Sequence, residues 1–227
     1  MNFSIEGGSD YPMLHVDLQP GETIVAEAGA MAWMDSHIET TVSTRGGLGK
    51  GLKRALLGGE SLFQNTFSVK EKAGTLALVP GEPGPILHEH LTRGRELFMQ
   101  AGAYLASSEG IELDTKYEGL KGLLSEGMFT LRVHGQGDLF FSGYGGVEEV
   151  EVHGEYVVDN GYAVAWEPSL SYSISKTGKK IRSFLFGDQL VVRFKGNGRL
   201  WVQSHAPRAL ANFFYPYRRV RKRSRSS

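Results

Sequence analysis

Three short patterns recur in this chain in the same order, and their recurrence constrains the fold more than any single motif does. The first copy reads Ala28-Gly29-Ala30, Gly59-Glu60-Ser61-Leu62-Phe63 and Gly74-Thr75-Leu76. The second reads Ala101-Gly102-Ala103, Gly127-Met128-Phe129 and Gly137-Asp138-Leu139. The third reads Asn160-Gly161-Tyr162, Gly187-Asp188-Gln189-Leu190 and Gly198-Arg199-Leu200. Equivalent glycines are about 60 to 70 residues apart, the length of a small β unit and not of one solenoid turn. A threefold internal duplication predicts three similar modules around a pseudo-threefold axis. Residues shared by all copies then serve the fold, and residues unique to one copy are candidates for function.

The segments between these patterns read as strands. Phe3-Ser4-Ile5 and Leu14-His15-Val16-Asp17-Leu18 alternate apolar and polar residues at period two, as half-buried strands do. Thr23-Ile24-Val25-Ala26 resumes after the Pro20-Gly21 turn, and Thr75 to Val79 ends at Pro80-Gly81. Phe129 to His134 precedes Gly135-Gln136-Gly137, and Leu190 to Lys195 precedes Gly196-Asn197-Gly198. Leu139 to Ser142 and Leu200 to Ser204 follow, so each pair is expected to form a β-hairpin around its glycines. Helix signals are confined to Leu52–Leu57 and to Arg208–Phe214, the latter opening after Pro207 and stopped by Pro216. The 30 glycines suit many tight turns between short strands.

At 227 residues the chain can bury roughly 70% or more of its unfolded surface. It has no cysteine, which excludes disulfides, thiolate nucleophiles and cysteine metal sites and fits a reducing compartment. The N-terminus lacks the basic and apolar regions of a signal peptide, and no run approaches the ~18 apolar residues of a membrane span. A cytoplasmic protein is the expectation. The formal net charge of zero hides a polarity: residues 218–227 carry six bases and no acid, leaving 19 bases against 25 acids in the rest.

Phe3-Ser4-Ile5, Gly21-Glu22, Glu27-Ala28-Gly29-Ala30-Met31, Gly58-Gly59-Glu60-Ser61-Leu62-Phe63, Gly143-Tyr144-Gly145 and Gly154-Glu155 together resemble the hallmarks of one family. It is the poorly characterised bacterial and archaeal family that also includes the fungal altered-inheritance-of-mitochondria protein 24. The resemblance runs from residue 1 to about residue 205 and omits the tail. It implies an all-β, TRAP-like fold of β-sandwich modules related to the double-stranded β-helix, after the tryptophan-responsive RNA-binding attenuation protein. It implies no catalytic residues. With the repeats it divides the chain into β modules at 1–81, 82–146 and 147–206, then a short helix and basic disordered tail at 207–227.

Candidate chemistry is sparse. Gly46-Gly47-Leu48-Gly49-Lys50-Gly51 mimics a phosphate loop but lacks the following Ser or Thr and a helix of useful length. Gly51-Leu52-Lys53 is matched by Gly119-Leu120-Lys121 and Gly178-Lys179-Lys180, so it reads as structural. His88-Glu89-His90 has metal-ligand spacing, because on a strand His88 and His90 share a face, and Glu96 is the nearest carboxylate of a cupin-like set. His134, His153 and His205 are the candidates for a third histidine. Neither Ser61 nor Ser107-Ser108 sits in a nucleophile elbow. Glu148, Glu149 and Glu151 alternate with Val147, Val150 and Val152 as a solvated strand face. Trp33, Tyr104 and Trp166 follow the repeated glycines and are expected in the core or between modules. Arg218, Arg219, Arg221, Lys222, Arg223 and Arg225 form an anion-binding candidate, with Phe213, Phe214, Tyr215 and Tyr217 in front for stacking or interfacial insertion.

The expected protein is thus a non-enzymatic scaffold or binding module without a cofactor, homo-oligomeric, with a protein partner to be identified. Two alternatives are nucleic-acid or anionic-surface binding through the tail and a degenerate cupin-like metalloenzyme using His88 and His90.

Overall fold

A computed structural model describes residues 1–43, 64–114, 130–176 and 190–218. The helix expected at Leu52–Leu57, the loop Gly46–Gly51, the segments 119–121 and 178–180, Ser61, and the middle pattern of each copy except Leu190 lie outside the described residues. So does the tail from Arg219 onward.

The described chain is all-β, with seventeen strands and one short α-helix. The first seven are β1 (Asn2–Glu6), β2 (Met13–Leu18), β3 (Thr23–Glu27), β4 (Met31–Met34), β5 (Glu39–Ser43), β6 (Gln64–Ser68) and β7 (Gly74–Leu78). Six more follow: β8 (Ile86–Leu91), β9 (Glu96–Gln100), β10 (Tyr104–Ser108), β11 (Ile111–Asp114), β12 (Thr130–Gly135) and β13 (Gly137–Ser142). The last are β14 (Val147–Asp159), β15 (Ala163–Trp166), β16 (Ser171–Lys176) and the long β17 (Leu190–Gln203), before helix α1 (Pro207–Phe214).

All ladders are antiparallel, and they form three sheets. The first has the order β1-β2-β7-β4, and the second β5-β6-β3-β10-β13-β8. The third runs β11-β12-β9-β15-β17-β14, with β16 also on β17. Two contacts join early strands to late ones: β3 pairs β10 through Ala26↔Ala106, and β9 pairs β15 through Met99↔Ala165.

Side-chain alternation explains which strands become central. In β2, Leu14, Val16 and Leu18 are buried while Asp17 faces solvent, the period-two pattern of a sheet with one wet face. In β13 the run Leu139-Phe140-Phe141 is buried throughout, because that strand has a core on each side. Phe140 joins one apolar cluster with Leu14, Leu76 and Leu78, whereas Leu139 and Phe141 join a second with Leu97 and Leu131. A third cluster packs Trp166, Phe194 and Leu200 around Phe98. Burying each such side chain contributes about 1.5–3 kcal/mol, so a strand serving two cores is a strong constraint on the fold.

The two expected hairpins do not form. β12 pairs β9 and β11, β13 pairs β8 and β10, and residues 190–203 are one continuous strand. At Gly135–Gly137 the chain passes onward from the third sheet into the second, and at Gly196–Gly198 it continues along β17 within the third sheet, reversing in neither place. Gly135 (φ +117°) and Gly137 (φ +137°) bracket that crossing, and Gly196 (φ +137°) occupies the corresponding bend of β17. A Cβ at Gly135 would run into the carbonyl oxygen of Gly110, and one at Gly196 into that of Ser169. Positive φ and close approach together demand glycine.

The aromatic expectation divides. Tyr104 and Trp166 are buried, and the Tyr104 hydroxyl donates to the carbonyl of Val25 on the neighbouring strand β3 (3.1 Å). Trp33 instead stands 44% exposed, because the outer edge of β4 has no partner strand among the described residues. The helix expected at Arg208–Phe214 forms and starts one residue earlier, at Pro207, with a 3-10 turn at Tyr215–Tyr217.

Gly135→Ala is expected to lower stability by about 1–3 kcal/mol, read as a shift of the urea midpoint. Gly102→Ala, at negative φ and with open space around the added methyl, should stay within about 0.5 kcal/mol of the parent.

Candidate functional site

Strand β8 ends the second sheet and alternates its side chains between two neighbourhoods. His88 and His90 point to one side, where β13 sets Asp138 directly opposite His90. One carboxylate oxygen of Asp138 meets both His88 Nε2 (2.9 Å) and His90 Nδ1 (2.9 Å). The His88 ring packs against Phe3 (centroids 4.7 Å apart) and Phe140 (5.1 Å, stacked), which also touch each other edge-on at 4.8 Å. Burial works to raise the Asp138 pKa, but hydrogen bonds from His90 and His88 and their positive charge outweigh it, so the carboxyl sits below its ordinary value.

Glu89 points to the other side and meets Arg199 of β17 through two hydrogen bonds (2.7 and 3.2 Å). The same guanidinium donates through Nε to Glu167 (3.0 Å), lies 3.7 Å from Glu149 and covers the Trp201 ring at 4.7 Å. Arg95 adds a 3.3 Å contact to Glu167. The Glu89 bonds outweigh the cost of burying Arg199 and hold it protonated above its ordinary range. Glu167 is lowered: burial opposes ionisation, and the Arg199 backbone and side-chain bonds overcome it. A planar, bidentate cation is suited to tying together acids from β8, β14 and the turn after β15.

Glu96 is not brought to the histidines. It lies on β9 and accepts from the Arg132 guanidinium of β12, at Nε (2.9 Å) and at Nη2, and this pairing lowers its pKa despite partial burial. The acid His88 and His90 share is therefore Asp138, a residue that sequence spacing did not connect to them. His134 sits near Glu112 (4.0 Å), and the His205 ring lies tilted against Tyr144 at 5.4 Å, each apart from the pair. Among the described residues no group of three or more His, Asp or Glu is placed to hold a metal ion. An open depression of about 380 Å³ beside the turn between β8 and β9 is lined by Arg93, Arg95, Glu96, His134 and Gln136. Its acid is already held by Arg132.

The sequence did contain a pointer to Asp138 and Arg199. Each follows the glycine that opens the last pattern of its copy, at Gly137 and Gly198, and the matching position after Gly74 is Thr75. The backbone N–H of each finds a side-chain oxygen: Thr75 to Asp35 (3.0 Å), Asp138 to Ser108 (3.0 Å) and Arg199 to Glu167 (3.1 Å). The side chains differ, as residues unique to a copy should: Thr75 donates to Asp17 (2.8 Å), Asp138 meets two histidines and Arg199 meets acids.

At the C-terminus, α1 buries no residue among those described. Leu210, Phe213, Phe214, Tyr215 and Tyr217 are all exposed, Phe213 touches Phe214 and Tyr217, and the Arg218 guanidinium lies 3.7 Å over the Tyr215 ring. Arg219, Arg221, Lys222, Arg223 and Arg225 lie outside the described residues. No helix among the described residues is long and apolar enough to cross a membrane.

The family model described as mitochondrial biogenesis AIM24 matches residues 3–205. An uncharacterised protein of Streptococcus pyogenes serotype M6 is 26% identical over 214 residues, covering 90% of this chain and 86% of that protein. The crystal structure of a Streptococcus pyogenes protein, a structural-genomics target, is also similar. It has a TM-score of 0.76 and 25% identity, over 96% of this chain and 99% of that one.

Because its folded-state pKa is depressed, Asp138 contributes stability that is complete above the ordinary carboxylate pKa of about 3.9 and is lost as the pH falls through the lower folded value. Urea titrations should show the parent more stable than Asp138→Asn at pH 6, with the gap closing as acidification proceeds below that range.

Proposed function

The chain belongs to the AIM24 family, and from that premise we propose that it is a non-enzymatic scaffold built of three TRAP-like modules in tandem. The modules span residues 1–81, 82–146 and 147–206, with residues 207–227 as an appended helix and tail. The observation that carries the proposal is the backbone bond recurring at Thr75–Asp35, Asp138–Ser108 and Arg199–Glu167. A bulge accompanies it in each copy, between Met31 and Trp33, Tyr104 and Ala106, and Ala163 and Ala165. Six strands then correspond in order: β2 to β7 match β8 to β13. In the third copy β14 stands for the first two strands fused, and β17 for the last two.

A scaffold role is supported by how the polar side chains are used. Asp138 ties His88 to His90, Arg132 holds Glu96, and Arg199 gathers Glu89 and Glu167. These pairs hold strands to one another instead of aiming unpaired groups at a bound substrate. Native mass spectrometry of untagged protein, purified without chelator, tests the proposal. The expected spectrum contains protein mass alone, and a stoichiometric metal or small ligand would overturn it.

A second reading is favoured by the exposed aromatics of α1 beside Arg218: the C-terminus binds an anionic surface or nucleic acid. Rings supply stacking or interfacial area, and the bases supply counterion release. If all six bases engage single-stranded nucleic acid, affinity should fall by about three-hundredfold between about 50 and 200 mM salt. Deleting residues 218–227 should abolish binding to oligonucleotides and to anionic vesicles alike. Binding unaffected by salt or by the deletion would dispose of it.

A further inference from the structure

Strands β3 and β10 meet in antiparallel register with Ala26 opposite Ala106, Val25 opposite Ser107 and Ile24 opposite Ser108. Strands β9 and β15 meet with Met99 opposite Ala165 and Phe98 opposite Trp166. Counted from the repeated glycines Gly29, Gly102 and Gly161, these two junctions are the same junction. In both, the residue three before one copy's glycine faces the residue four after the next copy's glycine. The following pair, four before and five after, also agrees.

A third junction of this kind requires the second half of β14, residues 155–159, and the outer edge of β4. The count sets Val158 opposite Trp33, Val157 opposite Met34 and Tyr156 opposite Asp35. Neither edge has a partner among the described residues: β4 ends the first sheet, and β14 pairs only β17.

Exposure marks the same two edges, although Val158 itself is only 7% exposed and packs into the third apolar cluster. At the two formed junctions Ala26, Ala106, Met99 and Ala165 are all 0% exposed. At the open one Trp33 is 44%, Val157 46%, Tyr156 39% and the adjacent Met31 38% exposed. Large apolar side chains on an unpaired edge are what such an edge presents when another strand covers it. Other free edges also expose apolar residues, Val42 on β5 and Phe3 and Ile5 on β1, but no formed junction of the repeat has its counterpart there. Strands β5, β11 and β16 end their ladders in every copy, so the repeat offers no partner for them.

Resting on the three-module reading, we infer that a second copy of this chain fills the vacancy, its residues 155–159 adding to β4 in the register Trp33↔Val158. Each chain carries one edge of each kind. The contact is therefore head-to-tail, and a ring that closes leaves neither edge free.

Cysteine cross-linking tests the pairing cleanly, because the chain has no native cysteine. Directly opposed antiparallel residues have Cα atoms about 4.5–5.5 Å apart, within disulfide reach. Mixing a Trp33→Cys chain with a Val158→Cys chain under mild oxidation should yield a disulfide between the two chains. A chain carrying both Ala26→Cys and Ala106→Cys should lock internally and reports on a junction already formed. If that control locks while the mixed chains do not join, the inference falls and the three-module reading stands. If the control fails to lock, both fall. A doubly substituted Trp33→Cys, Val158→Cys chain that closes only on itself also overturns the proposal.

Should either cysteine variant misfold, the unmodified protein decides. Native mass spectrometry is expected to show one discrete multiple of the chain mass, and Trp33→Lys to weaken that assembly by about tenfold or more. A monomer at every concentration overturns the proposal.

Discussion

Everything in this molecule depends on two antiparallel contacts, β3 with β10 and β9 with β15. Without them the described ladders would be short separate sheets, each with an unprotected edge. With them a six-stranded and a seven-stranded sheet form. A hydrogen bond contributes only about 0.5–1.5 kcal/mol net, so the ladder alone would be a weak joint. Burial supplies more: Phe98 and Trp166 face each other across one contact, and Tyr104 reaches over the other to the Val25 carbonyl. A large side chain moved out of water contributes about 1.5–3 kcal/mol, and several are buried at or beside each contact.

The same joints decide where polar chemistry sits. Because β13 and β17 lie between partners, their bulky residues face cores, and their polar residues come first, after the glycine bend. Asp138 and Arg199 occupy that place and both reach β8, one from each side of the strand. Opposite charge selects the partner in each case: histidines for the acid, glutamates for the base. These contacts are half-buried, so their ionisation is shifted in direction, and they set which strands lie together more than they add to stability.

Much of this was legible in the sequence, for definable reasons. Alternation in Leu14-His15-Val16-Asp17-Leu18 and the breaks at Pro20-Gly21 and Pro207 act locally, so β2, β3 and the start of α1 follow from neighbouring residues. The family was legible too, because its motifs are spread along most of the chain. The hairpins at Gly135-Gln136-Gly137 and Gly196-Asn197-Gly198 were not. A glycine pair permits reversal, sheet crossing and a continuing strand alike, and the choice lies with partner strands, β8 to β11 in the first case and β14 to β16 in the second. The meeting of Asp138 with His88 and His90 spans about 50 residues of sequence, so spacing alone could not reveal it. Comparison between copies could: one position carries Thr75, Asp138 and Arg199 in turn.

Amide hydrogen exchange across a dilution series would test most directly whether equivalent joints organise the protein. The account predicts that residues 24–26 with 106–108, and 98–99 with 165–166, stay protected at every concentration. Segments 33–35 and 156–158 should be protected when concentrated and exchange faster on dilution. Uniformly fast exchange at 33–35 and 156–158, or loss of protection at the two formed joints in parallel with them, would contradict it.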